Sequence, residues 1–459
     1  MGVWLVRAVP TLSDPPTGAH AWRETDGLIV ARNYCLERAP FLEPRVNNRG
    51  DTDGRTGLEF PLLNYLAGRI GCASGDVVTP WRVLSLLFAL LLVASVWQAG
   101  RALFGPFAGL AAVIACATSP LTPYFSRTTQ PDMASAGLAA LAVAVAATSA
   151  RLPWTVLSFL LVGMSALLKL PGAVYLLPVI LLSFRGRRRS TPRVVGALLL
   201  AALAMVPAAA WYAHARRLQH ENGIENFGLT RTVGQLLAEW QIPKVWLRDF
   251  VQFPFDVWVF PGAMALLVAV LFWRGRRTPW EVAALGVTAL AYLLLCGYSG
   301  AHHTYYGVML LPAFSPMIGW ASAEVLAAGR GKAAVLLACG VGLALAWQIH
   351  RDRSFWASHR AEWASLEAFS RREFGPQGRT RIVVFSDGSP QMFWFTGQIG
   401  RFQWLESPVL GPRDDYAVVD RSRISARAVP VEAALVAAGC QPVFESAVGW
   451  ICRAPVHMR

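Results

Sequence analysis

The chain has 459 residues, 54% of them hydrophobic and only 15% charged, with a mean hydropathy of +0.40 and a formal net charge of +14. A soluble chain carries roughly 25% charged residues, so the composition argues against a water-soluble globular protein and for a helical membrane protein. The positive charge calls for no nucleic acid, because basic clusters are expected on cytoplasmic loops and against anionic lipid.

Met1–Leu12 is apolar but too short to span, and Arg7 interrupts it; it reads as the end of a first span whose earlier part lies upstream. Residues 13–80 form a long polar loop with two amphipathic pieces, near 24–38 and 58–72, of the kind that lies in the interface plane. Apolar runs long enough for a ~30 Å hydrocarbon core follow. They lie near 81–100, 106–124, 133–150, 154–169, 172–184, 194–213, 256–273, 279–297, 307–327 and 333–349. Lys169-Leu-Pro-Gly172 predicts two brief spans meeting in a tight turn.

The clusters Arg185-Gly-Arg-Arg-Arg189 with Arg193, Arg274-Gly-Arg-Arg277 and Arg330-Gly-Lys332 belong on the cytoplasmic side, and alternating spans keep all three there. The same alternation puts Arg101 and Arg151 inside. It puts loop 13–80, Tyr124–Asp132, Lys169–Gly172, loop 214–255, Tyr298–Tyr306 and the tail outside. Every polar cluster with chemical potential therefore falls on one face.

The tail changes character. His350–Phe374 reads as a helix, Arg381–Phe385 and Tyr416–Asp420 as strands, and Val431–Ala438 as a helix. The expected architecture is an α-helical polytopic membrane protein of about 10–11 spans. Its membrane domain would cover residues 1–349, with the long first outer loop, and a small α/β domain residues 350–459. Cys116, Cys296 and Cys339 fall in spans as packing residues. Cys35 with Cys72, and Cys440 with Cys452, are candidate disulfides in an oxidising compartment, with connectivity left open.

The densest polar stretch is His20-Ala-Trp-Arg-Glu-Thr-Asp26. If 22–33 is helical, Trp22, Asp26 and Asn33 share a face. A carboxylate beside an aromatic at headgroup level can take a proton from an incoming hydroxyl. Asp26 also fits a helix cap or a solvated loop acid, and Glu24 is a second candidate. Asp132, in Ser126-Arg-Thr-Thr-Gln-Pro-Asp132, fits either a site acid or a helix start. Lys169, after an apolar helix, is expected to snorkel outward, suiting an anionic lipid phosphate or a plain interface anchor. His302-His303-Thr-Tyr305-Tyr306 opens a later span, where tyrosines are often belt residues.

These features in order resemble the GT-C glycosyltransferases: the early acid, Glu59-Phe-Pro-Leu-Leu-Asn-Tyr65, Arg101-Ala-Leu-Phe-Gly105, Ala117-Thr-Ser-Pro120, Arg127-Thr-Thr-Gln-Pro-Asp132, Lys169-Leu-Pro-Gly172 and His303-Thr-Tyr-Tyr306. The resemblance covers about residues 18–320 and is nearest the branch holding the protein O-mannosyltransferases and lipid A aminoarabinose transferases. The His-x-Trp-Arg-x-x-Asp opening resembles a bacterial subgroup linked to surface polysaccharide.

The resemblance implies a polyprenyl-phosphate sugar as donor, a lipid, glycan or protein acceptor, and inverting transfer on the outer face of the bacterial inner membrane. Asp26 is the implied general base, or Glu24 if the acid pair of relatives is aligned; Arg23 stands where that pair would begin. Asp132 is the implied orienting acid. Lys169 and His303, joined by Arg23, are implied near the donor phosphate, with His20, Trp22, Glu59, Tyr305 and Tyr306 as further substrate contacts. No cofactor is required; a divalent metal serves some distant members, but no ligand set here demands one. The competing class is a transporter or flippase of lipid-linked sugars, which would place ionisable groups at mid-span beside broken helices. These spans are nearly free of charge, which favours chemistry at the interface.

Overall fold

The structure, a computed structural model, describes residues 9–18, 20–185, 190–223, 261–329, 360–376, 378–403, 405, 408 and 410–455. The expected span at 333–349, residues 224–255 of the expected loop 214–255, and Met1–Ala8 lie outside the described residues, as do Gly186–Arg189, Cys339 and Arg330–Lys332. Packing divides the chain into two compact units. One comprises Met1–Leu12, Arg82–His214 and Gly228–Ser354, the other Ser13–Trp81, Ala215–Phe227 and Phe355–Arg459. Loop 13–80 thus packs in one unit with the tail.

The apolar runs fold as helices where the sequence places them. In chain order, after α1 (Ala21–Leu36) and α2 (Leu62–Ser74), these are α3 (Val78–Phe104), α4 (Pro106–Thr118), the short α5 (Leu121–Phe125), α6 (Asp132–Thr148), α7 (Leu152–Leu168) and α8 (Leu176–Leu182). They continue as α9 (Thr191–Asn222), α10 (Pro261–Arg274), α11 (Trp280–His302) and α12 (Leu311–Ala328). Val78–Phe104, Thr191–Asn222 and Thr304–Ala328, the last including the 3-10 turn before α12, are long and apolar enough to cross a membrane. The expected tight turn is present: Lys169 is extended, and Leu170–Tyr175 is a 3-10 turn leading into α8.

Small residues let the helices of the first unit approach closely, as packing within lipid requires. Ser135 on α6 and Ser165 on α7 each donate a hydroxyl to the other's backbone carbonyl, at 2.9 and 2.8 Å. On α12, a Cβ at Gly319 would lie 2.2 Å from the Ala108 carbonyl oxygen of α4. Gly319→Val should therefore lower stability by about 1–3 kcal/mol, seen as earlier melting in detergent.

The two ends of this unit differ chemically. At one end Arg185 donates to the carbonyls of Ala102 (3.0 Å) and Ala147 (3.2 Å), closing the C-terminal turns of α3 and α6. It also pairs with Glu281 in the first turn of α11 at 3.5 Å. The opposite ends of α6 and α11 therefore lie together, away from this basic end.

In the second unit α1 is not the interfacial amphipath expected from its sequence. Twelve of its 16 residues are buried, on every face. α2 buries one stripe (Leu63, Asn64, Ala67, Gly68, Gly71), and a Cβ at Gly68 would meet the Ala31 carbonyl oxygen at 2.3 Å. Asn64 donates to the Gly27 carbonyl at 3.1 Å, and Cys35–Cys72 ties the pair covalently. Opening a loop of 37 residues should cost about 3–4 kcal/mol. A Cys35→Ser, Cys72→Ser double variant is thus expected to melt earlier, and reductant should no longer change its melting at this site.

The tail forms α13 (Arg360–Glu373), β1 (Arg381–Phe385), α14 (Gln391–Thr396), β2 (Ile399–Gln403), β3 (Tyr416–Val419), α15 (Arg421–Ala437), β4 (Gln441–Glu445) and β5 (Trp450–Arg453). Strand order is β2-β1-β3-β5-β4, with β1 parallel to β2 and β3 and the other pairs antiparallel. β1 is buried on both faces, as a central parallel strand should be. The edge strand β4 carries Pro442 and is closed to β5 by Cys440–Cys452. The edge of β2 is covered by loop 13–80. Gly400 donates to the Asn47 carbonyl and accepts from the amides of Arg49 and Gly50, all within 2.9–3.0 Å.

Candidate active site

The structure gathers the nominated residues into two groups, one in each unit. In the first unit Asp132 opens α6 and is fully buried. Its partner is Lys169, the C-cap residue of α7, which is 4% exposed and forms an ion pair with Asp132. The outward snorkel expected of Lys169 does not occur. A buried carboxylate offers its ammonium more than a lipid headgroup layer would, and neither charge is left uncompensated. The ammonium also lies over the rings of Tyr305 and Tyr306, at 4.6 and 4.7 Å from their centroids. His303 stacks on Tyr305 at 5.3 Å with ring planes 7° apart.

This aromatic group is held from below. The Tyr292 hydroxyl of α11 donates to the Tyr306 carbonyl at 2.6 Å, and that of Tyr175 to the Met309 carbonyl at 2.5 Å. The loop before Asp132 is fixed by Arg127, which donates to the Pro123 carbonyl at 3.0 Å and to the Thr11 hydroxyl at 3.3 Å. Ser85 donates to the Thr128 carbonyl at 2.7 Å. The result is an ammonium held between the Asp132 carboxylate and an aromatic cradle, where the low dielectric strengthens every charge interaction.

In the second unit His20 precedes α1 and is buried. Arg23 forms an ion pair with Glu59, and its guanidinium lies 3.9 Å from the Asp26 carboxylate. Arg23, expected beside a donor phosphate, thus has its charge balanced by Glu59 in this unit. Glu24 is fully buried and sits about 200° around the helix from Asp26. Trp22 and Asp26 together line a cavity of about 60 Å³, whose other walls are Ile29, Val46, Asn47, Asn48, Gly388, Pro390 and Phe402. That is room for water or a hydroxyl-bearing group. Burial pushes the Asp26 carboxyl up to about 7, with Arg23 pulling it down and Glu59 pushing it up. A carboxylate so tuned is matched to taking a proton near neutral pH.

Asn47 and Asn48 escaped the sequence reading. Asn33, two turns beyond the nominated cluster, donates to Asn47 Oδ1 at 3.0 Å; Asn47 donates to the Gln398 carbonyl at 2.8 Å. The face shared by Trp22, Asp26 and Asn33 is therefore one wall and its brace. Among the described residues no group of three or more His, Cys, Asp or Glu side chains is placed to hold a metal ion.

Residues 59–213 match the family model described as dolichyl-phosphate-mannose-protein mannosyltransferase. A search of curated proteins gave no match. Among solved structures the chain is similar to ArnT from Cupriavidus metallidurans bound to undecaprenyl phosphate, with a TM-score of 0.68 at 14% identity over 100% of this chain and 97% of that one. It is also similar to the Archaeoglobus fulgidus oligosaccharyltransferase in complex with Zn and sulfate, with a TM-score of 0.59 at 12% identity over 99% and 74%. A third, archaeal oligosaccharyltransferase AglB from the same organism with an inhibitory peptide and a dolichol-phosphate, gives 0.57 at 12% over 91% and 69%. The resemblance read from the sequence holds at the level of fold: this is a multi-pass membrane protein with the fold of these ArnT and oligosaccharyltransferase structures.

Proposed function

We propose that this protein is an integral-membrane glycosyltransferase that moves a sugar from a polyprenyl-phosphate donor to an acceptor hydroxyl, with inversion at the anomeric carbon. The observation that carries the reading is the buried Lys169–Asp132 pair under the His303–Tyr305–Tyr306 stack. It is supported by the likeness to folds solved with undecaprenyl phosphate and dolichol-phosphate. Lys169, aided by His303, receives the donor phosphate, and Asp132 holds the ammonium in place. Asp26 is the general base: unlike Glu24, it opens into a cavity.

In the reaction Asp26 takes the proton of the acceptor hydroxyl, and the oxygen attacks the anomeric carbon. The bond from that carbon to the phosphate oxygen breaks, its electron pair staying on the leaving polyprenyl phosphate. The charge that develops there is what Lys169 stabilises. The active site and residues 350–459 face away from the cytoplasm at the bacterial inner membrane. The basic end of the first unit, around Arg185, supports this by lying opposite the Lys169 end of α6.

The test is to supply the purified protein with a panel of polyprenyl-phosphate sugars and of hydroxyl-bearing lipid, glycan and peptide acceptors, and follow release of polyprenyl phosphate. At least one donor should be turned over to a glycoside of inverted configuration by NMR. A glycoside of retained configuration would remove Asp26 from its role as base to the acceptor.

A further inference from the structure

The tail sheet has a feature that the proposed chemistry does not use. From the parallel neighbours β1 and β3 the chain leaves in opposite directions, to β2 on one side and through α15 to β4 on the other. In open sheets with parallel strands, ligands bind in the crevice outside the strand ends at such a reversal. Here that crevice is a pocket of about 620 Å³, lined by Ser386 and Asp387 after β1 and by Leu405, Arg423, Ile424, Ser425, Ala426 and Arg427. Its volume falls in the ~300–1,000 Å³ range of small-molecule sites.

The lining has a definite chemistry. Arg423 is fixed at the mouth by Asp387, with donors 2.6 and 3.0 Å from one carboxylate oxygen. Arg427, exposed, adds a second guanidinium. Beneath them Asp420, fully buried, accepts from Ser422 at 2.6 Å and Ser386 at 3.3 Å, pinning the two loops together. The backbone leaves helical geometry at Ile424, so Ser425, Ala426 and Arg427 begin a fresh helical stretch at the pocket wall. Leu405 and Ile424 supply an apolar floor. Two guanidiniums, serine hydroxyls and an apolar floor suit a sugar ring that carries an anionic group.

The crevice also has a neighbour. Loop Ser386–Pro390 lines it through Ser386 and Asp387, and lines the Asp26 cavity through Gly388 and Pro390. We propose that the pocket at the ends of β1 and β3 is the acceptor site, binding an acidic saccharide through Arg423 and Arg427, and that this ligand extends past loop Ser386–Pro390 to bring a hydroxyl to Asp26. The delivery step rests on the reading of Asp26 as base; the binding step does not.

Binding of three probes to the full-length protein in nanodiscs, by calorimetry, tests this: a uronate-containing oligosaccharide, a phosphorylated sugar and a neutral oligosaccharide. At least one acidic probe should bind about tenfold or more tightly than the neutral one, and the tighter of the two identifies the anion. Arg423→Gln and Arg427→Gln should each weaken acidic binding about tenfold or more, in line with loss of a charge-assisted hydrogen bond. Arg427 is exposed, so its variant keeps the fold even where Arg423→Gln does not. Equal affinity for acidic and neutral probes, or an Arg427→Gln protein with wild-type affinity, overturns the proposal. Loss of turnover in Asp26→Asn bears only on the base, so the two failures are distinguishable.

Discussion

Replacing Asp26 by Asn is expected to lower turnover by about 100- to 10,000-fold, the range general-base catalysis supplies, while raising stability at alkaline pH. Both effects follow from one buried carboxyl. As base it must be ionised, so kcat/KM should rise with pH through about 7, where burial has placed the group. The stability effect has the opposite sense. A carboxyl raised above its ordinary value of 3.8 in the fold contributes stability that is full below about 4 and lost as pH rises through about 7. The Asn variant carries no such penalty. Its melting temperature should exceed that of the wild type at pH 8, and the difference should vanish below pH 4. A variant that keeps full turnover with its fold intact would remove Asp26 from the chemistry. One that melts earlier at pH 8 would show that Arg23, 3.9 Å away, outweighs burial.

Lys169→Met should be the most damaging substitution in the membrane unit, costing about 3–5 kcal/mol, because Asp132 is then left as a buried, uncompensated charge. Asp132→Leu does the converse damage to Lys169. Removing both charges, as Lys169→Met with Asp132→Leu, should recover most of that stability, since a buried ion pair and an apolar replacement of similar volume are often close in energy. Turnover should not recover, because the cation proposed to receive the phosphate is gone. The four proteins form a double-mutant cycle read by melting and by polyprenyl phosphate release. A double variant as stable and as active as the wild type would make the pair a structural element only.

Hydropathy is a local property, and the helices are correspondingly where the sequence places them, down to the turn at Lys169–Gly172. Strand β1, an unbroken Arg-Ile-Val-Val-Phe run, was equally legible. Helix α15 extends well upstream of the expected Val431–Ala438, because Pro430 and the kink at Ile424 interrupt its pattern. β2 and β4 hold glycine, proline and half-exposed polar residues, so edge strands of this kind give no alternating signal.

The candidate site residues were mostly nominated by their types, but their partners were not. Lys169 and Asp132 stand 37 positions apart, and each had a sufficient local explanation, one as a snorkelling cation and the other as a helix start. Arg23 and Glu59 are 36 apart and were expected to bind substrate separately. The walls of the Asp26 cavity come from residues 46–48 and 388–402, brought together only when the outer loop covers the β2 edge. No window of sequence contains that information.

The central claim is transfer of a sugar from a lipid phosphate, as against movement of the intact lipid. It is tested most directly in sealed proteoliposomes loaded with a polyprenyl-phosphate sugar labelled in both sugar and lipid, with acceptor supplied outside. The account predicts that the labels part: sugar appears on the acceptor and polyprenyl phosphate is released in equal amount, and Lys169→Met, Asp132→Leu abolishes both. Both labels crossing the bilayer together, with no free polyprenyl phosphate formed, would contradict it.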